Sequence, residues 1–258
     1  MNLNKVFFIA DTDFQVYFDA MTPSRVAAGG TLVNVACELA KDHELKVALI
    51  SETGNDYLGQ VIIDNLEKAG IDTKSIDRAP DVTTSATLIF ETDKGVEVAR
   101  YSTHSSHPEN GLDVIWPTNI NHEAAVVFGG YMAVNPRYQH NLQLLIDHAS
   151  SRKSKIIYFP GFDPSRITSL PFERPKIIEY FEKSDIIITR SRDLKFFFGA
   201  DNPADVFRKH LGFYDVIFVN VSDDSIVIFG PDGKTETISF DHKTGEIEAL
   251  TAALKSII

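Results

Sequence analysis

The strongest constraint on this chain is a regular alternation of two hydrophobic periods. Short apolar runs, mostly β-branched, occupy residues 6–10 (VFFIA), 46–50 (KVALI), 124–128 (AAVVF), 156–159 (IIYF), 185–189 (DIIIT) and 216–219 (VIFV). Runs this short, bounded by polar residues or glycine, read as strands buried on both faces. Between them, residues 32–41, 57–69, 137–151, 176–183 and 203–211 read as helices. In the first, Leu32, Val33, Ala36, Leu39 and Ala40 recur at helical spacing, and in the second Leu58, Val61, Ile62, Leu66 and Ala69 do the same. Strand and helix in strict turn imply an α/β fold: a doubly wound, mostly parallel sheet with helices on both faces.

Two regions break the pattern. Residues 14–19 (FQVYFD) alternate weakly, and residues 85–101 alternate well around a Lys94-Gly95 turn, which reads as a β-hairpin. Together they predict a small second sheet beside the main one. Residues 225–229 and 235–240 flank Pro231-Asp232-Gly233 and read as a final antiparallel pair. With no internal repeat and no long linker, residues 1–258 are expected to form one domain.

Charge narrows the partners. Lysine and arginine total 25 against 36 acidic residues, a net −11. Such a chain is not expected to bind nucleic acid nonspecifically or to adsorb to an anionic membrane surface. Cys37 has no partner for an internal disulfide, and residues 6–10 are too short for a signal-peptide core or a membrane span. A cytoplasmic protein acting on a small molecule is the expectation.

Ala28-Gly29-Gly30-Thr31-Leu32-Val33-Asn34-Val35-Ala36 is the most informative segment. Two glycines open an amphipathic helix, so a ligand can approach backbone N–H groups at the positive end of the helix dipole. Asn34, one turn in, both donates and accepts hydrogen bonds. This suits a polyhydroxylated ligand, but a loop that needs glycine for its backbone angles explains the same residues. Asp56, in Gly54-Asn55-Asp56-Tyr57-Leu58-Gly59, reads as a helix N-cap. His104 and His107 could form half of a metal site, although a solvated loop accounts for them better, and no metal ligands are assigned.

Taken together, these segments resemble the ribokinase-like (pfkB) carbohydrate kinase family. Gly29, Gly30, Asn34 and Ala36 match its G-G-x-x-x-N-x-A sugar-site signature. Gly54, Asp56, Gly59, Leu66, Gly70, Ile71 and Asp72 look like its second glycine block, and residues 85–101 are similar to its lid hairpin. Residues 125–131 (AVVFGGY) resemble the strand that ends in a glycine beside the sugar, here Gly130. Asp163 and Arg166 look like a shifted form of its D-x-N-x-R turn. The resemblance implies an ATP- and Mg2+-dependent phosphoryl transfer to a sugar hydroxyl, of fructokinase or ribokinase type. It implies a sugar or nucleoside held by Asp11, Asp13, Gln15, Gly29, Gly30, Asn34, Gly130, Asp163 and Arg166. It also implies a homodimer through the lid, whose apolar face would carry Val16, Phe18, Leu88 and Phe90.

The nucleotide side departs from the family pattern. The G-A-G-D element reads Gly245-Glu246-Ile247-Glu248, with Thr244 before it. Glu248 then stands for the catalytic base and Gly245 for what is left of the anion hole. A one-methylene displacement of the base costs on the order of 10²-fold, and a lost anion-hole donor roughly another 10²–10³. Arg190 and Asp193 replace the N-x-x-E ends, Asn220 and Ser222 occupy the next nucleotide loop, and ten residues follow Glu248. Three readings stay open, of which two are a sugar kinase with an altered motif, and an inactive relative that binds a sugar or nucleoside or serves as an assembly partner. A third uses Arg190 and Arg192 as a phosphate clamp. Ile247 packed inward would argue against catalysis at this helix terminus.

Overall fold

The computed structural model describes residues 3–19, 21–93, 95–101, 111–114, 116–161, 170–240 and 244–258. His104, His107, Asp163, Arg166, Lys94 and residues 241–243 therefore lie outside the described residues.

The large sheet has nine strands: β1 (Lys5–Ile9), β4 (Lys46–Gly54), β5 (Ile71–Ala79), β8 (Ala124–Gly129), β9 (Lys155–Phe159), β10 (Ile186–Arg190), β11 (Ile217–Val221), β12 (Ser225–Phe229) and β13 (Thr235–Ser239). Their spatial order is β13-β12-β11-β10-β9-β8-β1-β4-β5. Pairing is parallel from β5 through β11, and the β11-β12 and β12-β13 pairs are antiparallel.

β1 shows why the sheet is central. All five of its residues are buried. Phe7 and Ile9 face one core, with Phe128, Tyr158, Tyr180 and Leu145. Val6 and Phe8 face the other, with Leu32, Ala36, Leu250 and Leu254. The two-residue period of a strand divides one short run between two hydrophobic layers. Helices α1 (Thr31–Leu39), α2 (Tyr57–Lys68) and α8 (Glu246–Ile257) contribute to the second core, with α8 packed on α1. Helices α3 (Gly130–Val134), α4 (Pro136–Ser151), α5 (Leu170–Lys183) and α6 (Ser191–Phe198) serve the first. α7 (Pro203–Val206) runs on into a π-helical turn, Phe207–Leu211, where the periodicity predicts a single helix.

The predicted lid is present with one more strand than expected. β2 (Asp13–Asp19), β3 (Thr22–Gly29), β6 (Ala86–Thr92) and β7 (Gly95–Tyr101) form a second sheet in the order β3-β2-β6-β7. β3 (TPSRVAAG) and β5 (IDTKSIDRA) were not expected as strands, since neither carries an apolar run. Both are edge strands, held by ladder hydrogen bonds to β2 and β4 rather than by a hydrophobic signature. Asp56 caps α2 as expected, accepting from the Gly59 N–H at 2.9 Å.

Candidate functional site

The carboxyl ends of β1, β4, β8, β9 and β10 converge on one cleft. Strand order reverses between β1 and β8, and ligands of open α/β sheets bind beyond the strand ends at such a point. The cleft has a volume of about 890 Å³. Asp11 and Thr12 follow β1 into it, Gly129 and Gly130 close β8, Phe159 and Gly161 lie at the end of β9, and Arg190 ends β10. Gly30, Thr31 and Asn34 enter from the start of α1, while Asp13, Gln15, Tyr17, Thr87 and Ile89 line it from the small sheet.

Close backbone approach explains two glycines here. Gly30 has φ +120°, and a Cβ there would lie 2.7 Å from the Asp11 carbonyl oxygen. A methyl on Gly129 would overlap the Phe159 carbonyl oxygen of the neighbouring strand. These contacts bring the turn after β1, the start of α1 and the end of β8 into one wall.

The polar groups are prearranged. Gln15 Nε2 donates to Asp13 Oδ1 at 3.1 Å, the Thr87 hydroxyl donates to Asp13 Oδ2, and the Tyr17 hydroxyl donates to Gln15 Oε1 at 2.9 Å. The Arg25 guanidinium covers the Tyr17 ring at 3.8 Å. On the opposite wall, Arg137 grips Glu52 with two bonds, Nε to Oε1 at 2.9 Å and Nη2 to Oε2 at 2.8 Å. The Tyr138 hydroxyl and the Leu112 N–H also donate to Glu52, at 3.2 and 3.4 Å. Thr12 Oγ1 is buried at the cleft and has no hydrogen-bond partner among the described residues. Such a group is poised to bond a ligand hydroxyl.

Asp77 lies behind this wall and accepts the Asp113 N–H at 3.1 Å. Burial first, and then the nearby Glu52 carboxylate, push its pKa up from 3.8 to about 6. The folded state therefore keeps this proton over a range where the unfolded chain releases it. Its contribution is fully present below about pH 4 and is lost as pH rises through about 6. Asp77→Asn should remove that decline. Wild type should lose stability relative to the variant between pH 4 and pH 6.5, read by urea midpoints at a series of pH values; parallel pH profiles would contradict the assignment.

The start of α8 is organised differently from the sequence expectation. Gly245 is the N-cap of α8, but Glu248 faces an open depression on the far side, with Glu38, Lys41, Asp42 and Lys255. Its carboxylate folds back over Gly245. Ile247 packs against the second core. Glu246 instead turns toward the cleft: its Oε1 accepts from Arg190 Nη1 at 3.0 Å and from Arg192 Nη2 at 2.8 Å. Asp193 is buried and held by Arg190, whose Nε and Nη2 donate to it at 2.9 and 2.8 Å. Burial works against the Arg190 charge, but the Asp193 and Glu246 carboxylates more than offset it and raise its pKa.

A family model for pfkB family carbohydrate kinases matches residues 9–238. The chain belongs to the pfkB family of carbohydrate kinases. No curated protein sequence matches it significantly. Among solved structures, it is similar to a PfkB protein from a Polaromonas species, with TM-score 0.80 and 17% identity over 99% of this chain and 90% of that one. It is also similar to a fructokinase from Vibrio cholerae, with TM-score 0.75 and 14% identity over 92% and 80% of the two chains. Aminoimidazole riboside kinase from Salmonella enterica gives TM-score 0.73 and 14% identity over 92% and 76%. At these identities the likeness concerns the fold, an α/β architecture with a large, mostly parallel sheet and a second, small one.

Within this pfkB fold, the cleft gathers Asp11, Asp13, Gln15, Gly30, Asn34, Gly130 and Arg190 from the residues expected to act. Gly29 sits just outside, covered by the Gln15 side chain. Glu248, Gly245, Asp193, Asn220, Ser222 and Thr244 do not line it. Asn220 is buried between Thr189 and Ser191, and Ser222 bonds within its own turn to Asp224 and Ser225. Sequence reasoning missed Thr12, Tyr17, Glu52, Arg100 and Arg137. Thr12 could have been found between the two expected aspartates; nothing local marks Glu52 and Arg137, whose pairing spans 85 positions.

The start of α8 differs in charge from a plain anion-binding helix terminus. The first turn of α8 carries Glu246 and Glu248, two negative charges where phosphate would approach.

Proposed function

We propose that this pfkB-family protein binds one sugar or nucleoside in its cleft and does not transfer phosphate efficiently from ATP to it. The observation that carries the reading is the division of roles at α8. Its third residue, Glu248, lines a separate depression with Lys41 and Lys255, while its first, Glu246, bonds the arginines of the cleft. The acceptor side supports polyol recognition, with Asp11, Asp13, Asn34 and the unpartnered Thr12 hydroxyl as its polar set. The donor side offers carboxylates to a polyanion.

Thermal denaturation with a panel of pentoses, hexoses and nucleosides tests this directly. A bound sugar at 100 times its Kd adds about 2.7 kcal/mol and raises Tm, whereas millimolar ATP with Mg2+ should leave Tm unchanged. ADP release at about 1 s⁻¹ or faster with any of these acceptors, within the ordinary kinase range, would overturn the proposal. One observation favours that transferase reading: Arg190 and Arg192 face the same cleft as Asp11.

The small sheet supports a homodimer. Phe18 and Phe90 stack at 4.7 Å, and they share one face with Val16, Leu88 and Val26, the last 46% exposed. Light scattering at micromolar concentration should give twice the 28.7 kDa chain mass. Val26→Lys should shift the particle to the mass of one chain. A single-chain mass for wild type would exclude the dimer.

A further inference from the structure

We propose that residues 111–114, on the return from β7 to β8, form a proton-sensitive latch, which two adjacent carboxylates, Glu52 and Asp77, hold to the edge of the large sheet and which loosens when Asp77 ionises. The inference is independent of what the cleft binds.

The two carboxylates stand side by side. Glu52 on β4 is in register with Asp77 on the edge strand β5, so their side chains share a face at a strand spacing of about 4.8 Å. Each receives one of two successive N–H groups: Leu112 donates to Glu52 Oε2 at 3.4 Å, and Asp113 donates to Asp77 Oδ2 at 3.1 Å. Leu112 has φ +62°, and a residue in this left-handed region turns consecutive N–H groups toward one anionic concavity. A leucine keeps such an angle only where its surroundings impose it. Here its side chain is 2% exposed and packs in the first core.

Helix α4 closes the other side. Asn141 Nδ2 donates to the Gly111 carbonyl oxygen at 2.9 Å. A Cβ on Gly111 would lie 2.5 Å from the Tyr138 ring and 2.7 Å from Arg137 Cγ, so the backbone rests directly on these side chains. Glu52, Arg137 and Tyr138 also line the cleft. The latch thus joins the edge strand, α4 and the cleft wall through one carboxylate, Glu52.

Charge makes the latch sensitive to protons. Among the described residues, the charged groups facing Asp77 are Glu52 from β4, Asp113 from the latch and Arg137 from α4. Arg137 already holds Glu52 through two bonds, and the Tyr138 hydroxyl donates to Glu52 as well. Arg78, next on β5, is turned to α2, where its Nη1 donates to Gln60 Oε1 at 2.7 Å. Ionised Asp77 therefore faces two carboxylates and shares one cation that Glu52 already holds. Burial first, and then Glu52, raise its pKa from 3.8 to about 6 in the latched state. Opening returns Asp77 to water, where it ionises freely. The opening equilibrium therefore rises with pH, by about 50-fold from pH 4 to pH 7.5.

Amide hydrogen exchange of the full chain, resolved by NMR and corrected for the intrinsic pH dependence of exchange, tests the proposal. Wild type, Asp77→Asn and Gly111→Ala are compared from pH 4 to pH 7.5. In wild type, protection of the Leu112 and Asp113 amides should fall about 50-fold over this range, and at every pH it should stay below that of the Phe7 and Phe8 amides in β1. Asp77→Asn keeps an acceptor for the Asp113 N–H but has no proton to lose, so its protection should change less than about three-fold. Gly111→Ala should expose both amides already at pH 4, because its methyl drives the segment off Tyr138. Protection of Leu112 and Asp113 equal to that of β1 at every pH would show that the segment opens only when the whole protein unfolds, and overturns the latch. A wild-type fall below about three-fold, an equal fall in Asp77→Asn, or unchanged protection in Gly111→Ala also overturns it. If either variant fails to fold, the wild-type pH series against the β1 amides decides alone.

Discussion

Arg137→Met should lower the stability of this protein by about 3–5 kcal/mol, read as a fall in the urea midpoint at unchanged slope. The reason is the charge left behind. The Glu52 side chain is 2% exposed, and two of its bonds come from the Arg137 guanidinium. Without Arg137, the Tyr138 hydroxyl and the Leu112 N–H are the donors left to a buried carboxylate among the described residues. Adding Glu52→Gln removes that charge and keeps an acceptor for both donors, so the double variant should recover much of the loss. The pair also joins β4 to α4 at the cleft wall, so sugar affinity should fall along with stability. A cost below about 1 kcal/mol for Arg137→Met would mean that the pair is solvated and contributes little.

Asp11→Ala should weaken sugar binding by at least about 100-fold while changing the stability read from urea denaturation by no more than about 1 kcal/mol. A carboxylate receiving two sugar hydroxyls makes two charge-assisted bonds, each worth about 1.5–3 kcal/mol. Asp11 reaches the cleft directly after β1 and lies beside Gly130, where an added Cβ would come within 3.4 Å of its Oδ1. Its side chain is only partly buried, so truncation opens no core cavity. Asp11→Asn, which keeps one acceptor and gains a donor, should fall between the two. A loss below three-fold for Asp11→Ala would move the sugar elsewhere in the cleft.

The two classes of site residue differ in how legible they were. Gly30 and Asn34 could be read because the local backbone itself makes that part of the site: a glycine at φ +120° opens a helix that carries the asparagine one turn on. Arg137 and Glu52 could not, since each looks like an ordinary polar residue beside its own element. Glu248 was expected at the cleft because the family resemblance aligns Gly245–Glu248 with the G-A-G-D element. Yet in a helix of 3.6 residues per turn, where Glu246 and Glu248 point depends on how α8 rotates against α1. The packing of Ile247, Leu250 and Leu254 on the second core sets that rotation and turns Glu246, not Glu248, to the arginines.

From sequence alone, the layered α/β fold followed, because hydrophobic period is a local property and each buried strand or amphipathic helix announces its own burial. The lid hairpin and the glycine-led start of α1 followed for the same reason. The edge strands β3 and β5, the Glu52–Arg137 wall and the Arg190–Glu246–Arg192 contact were decided only in three dimensions. They depend on ladder partners, helix rotation and ion pairs between residues 54 to 85 positions apart, and no local pattern carries that information.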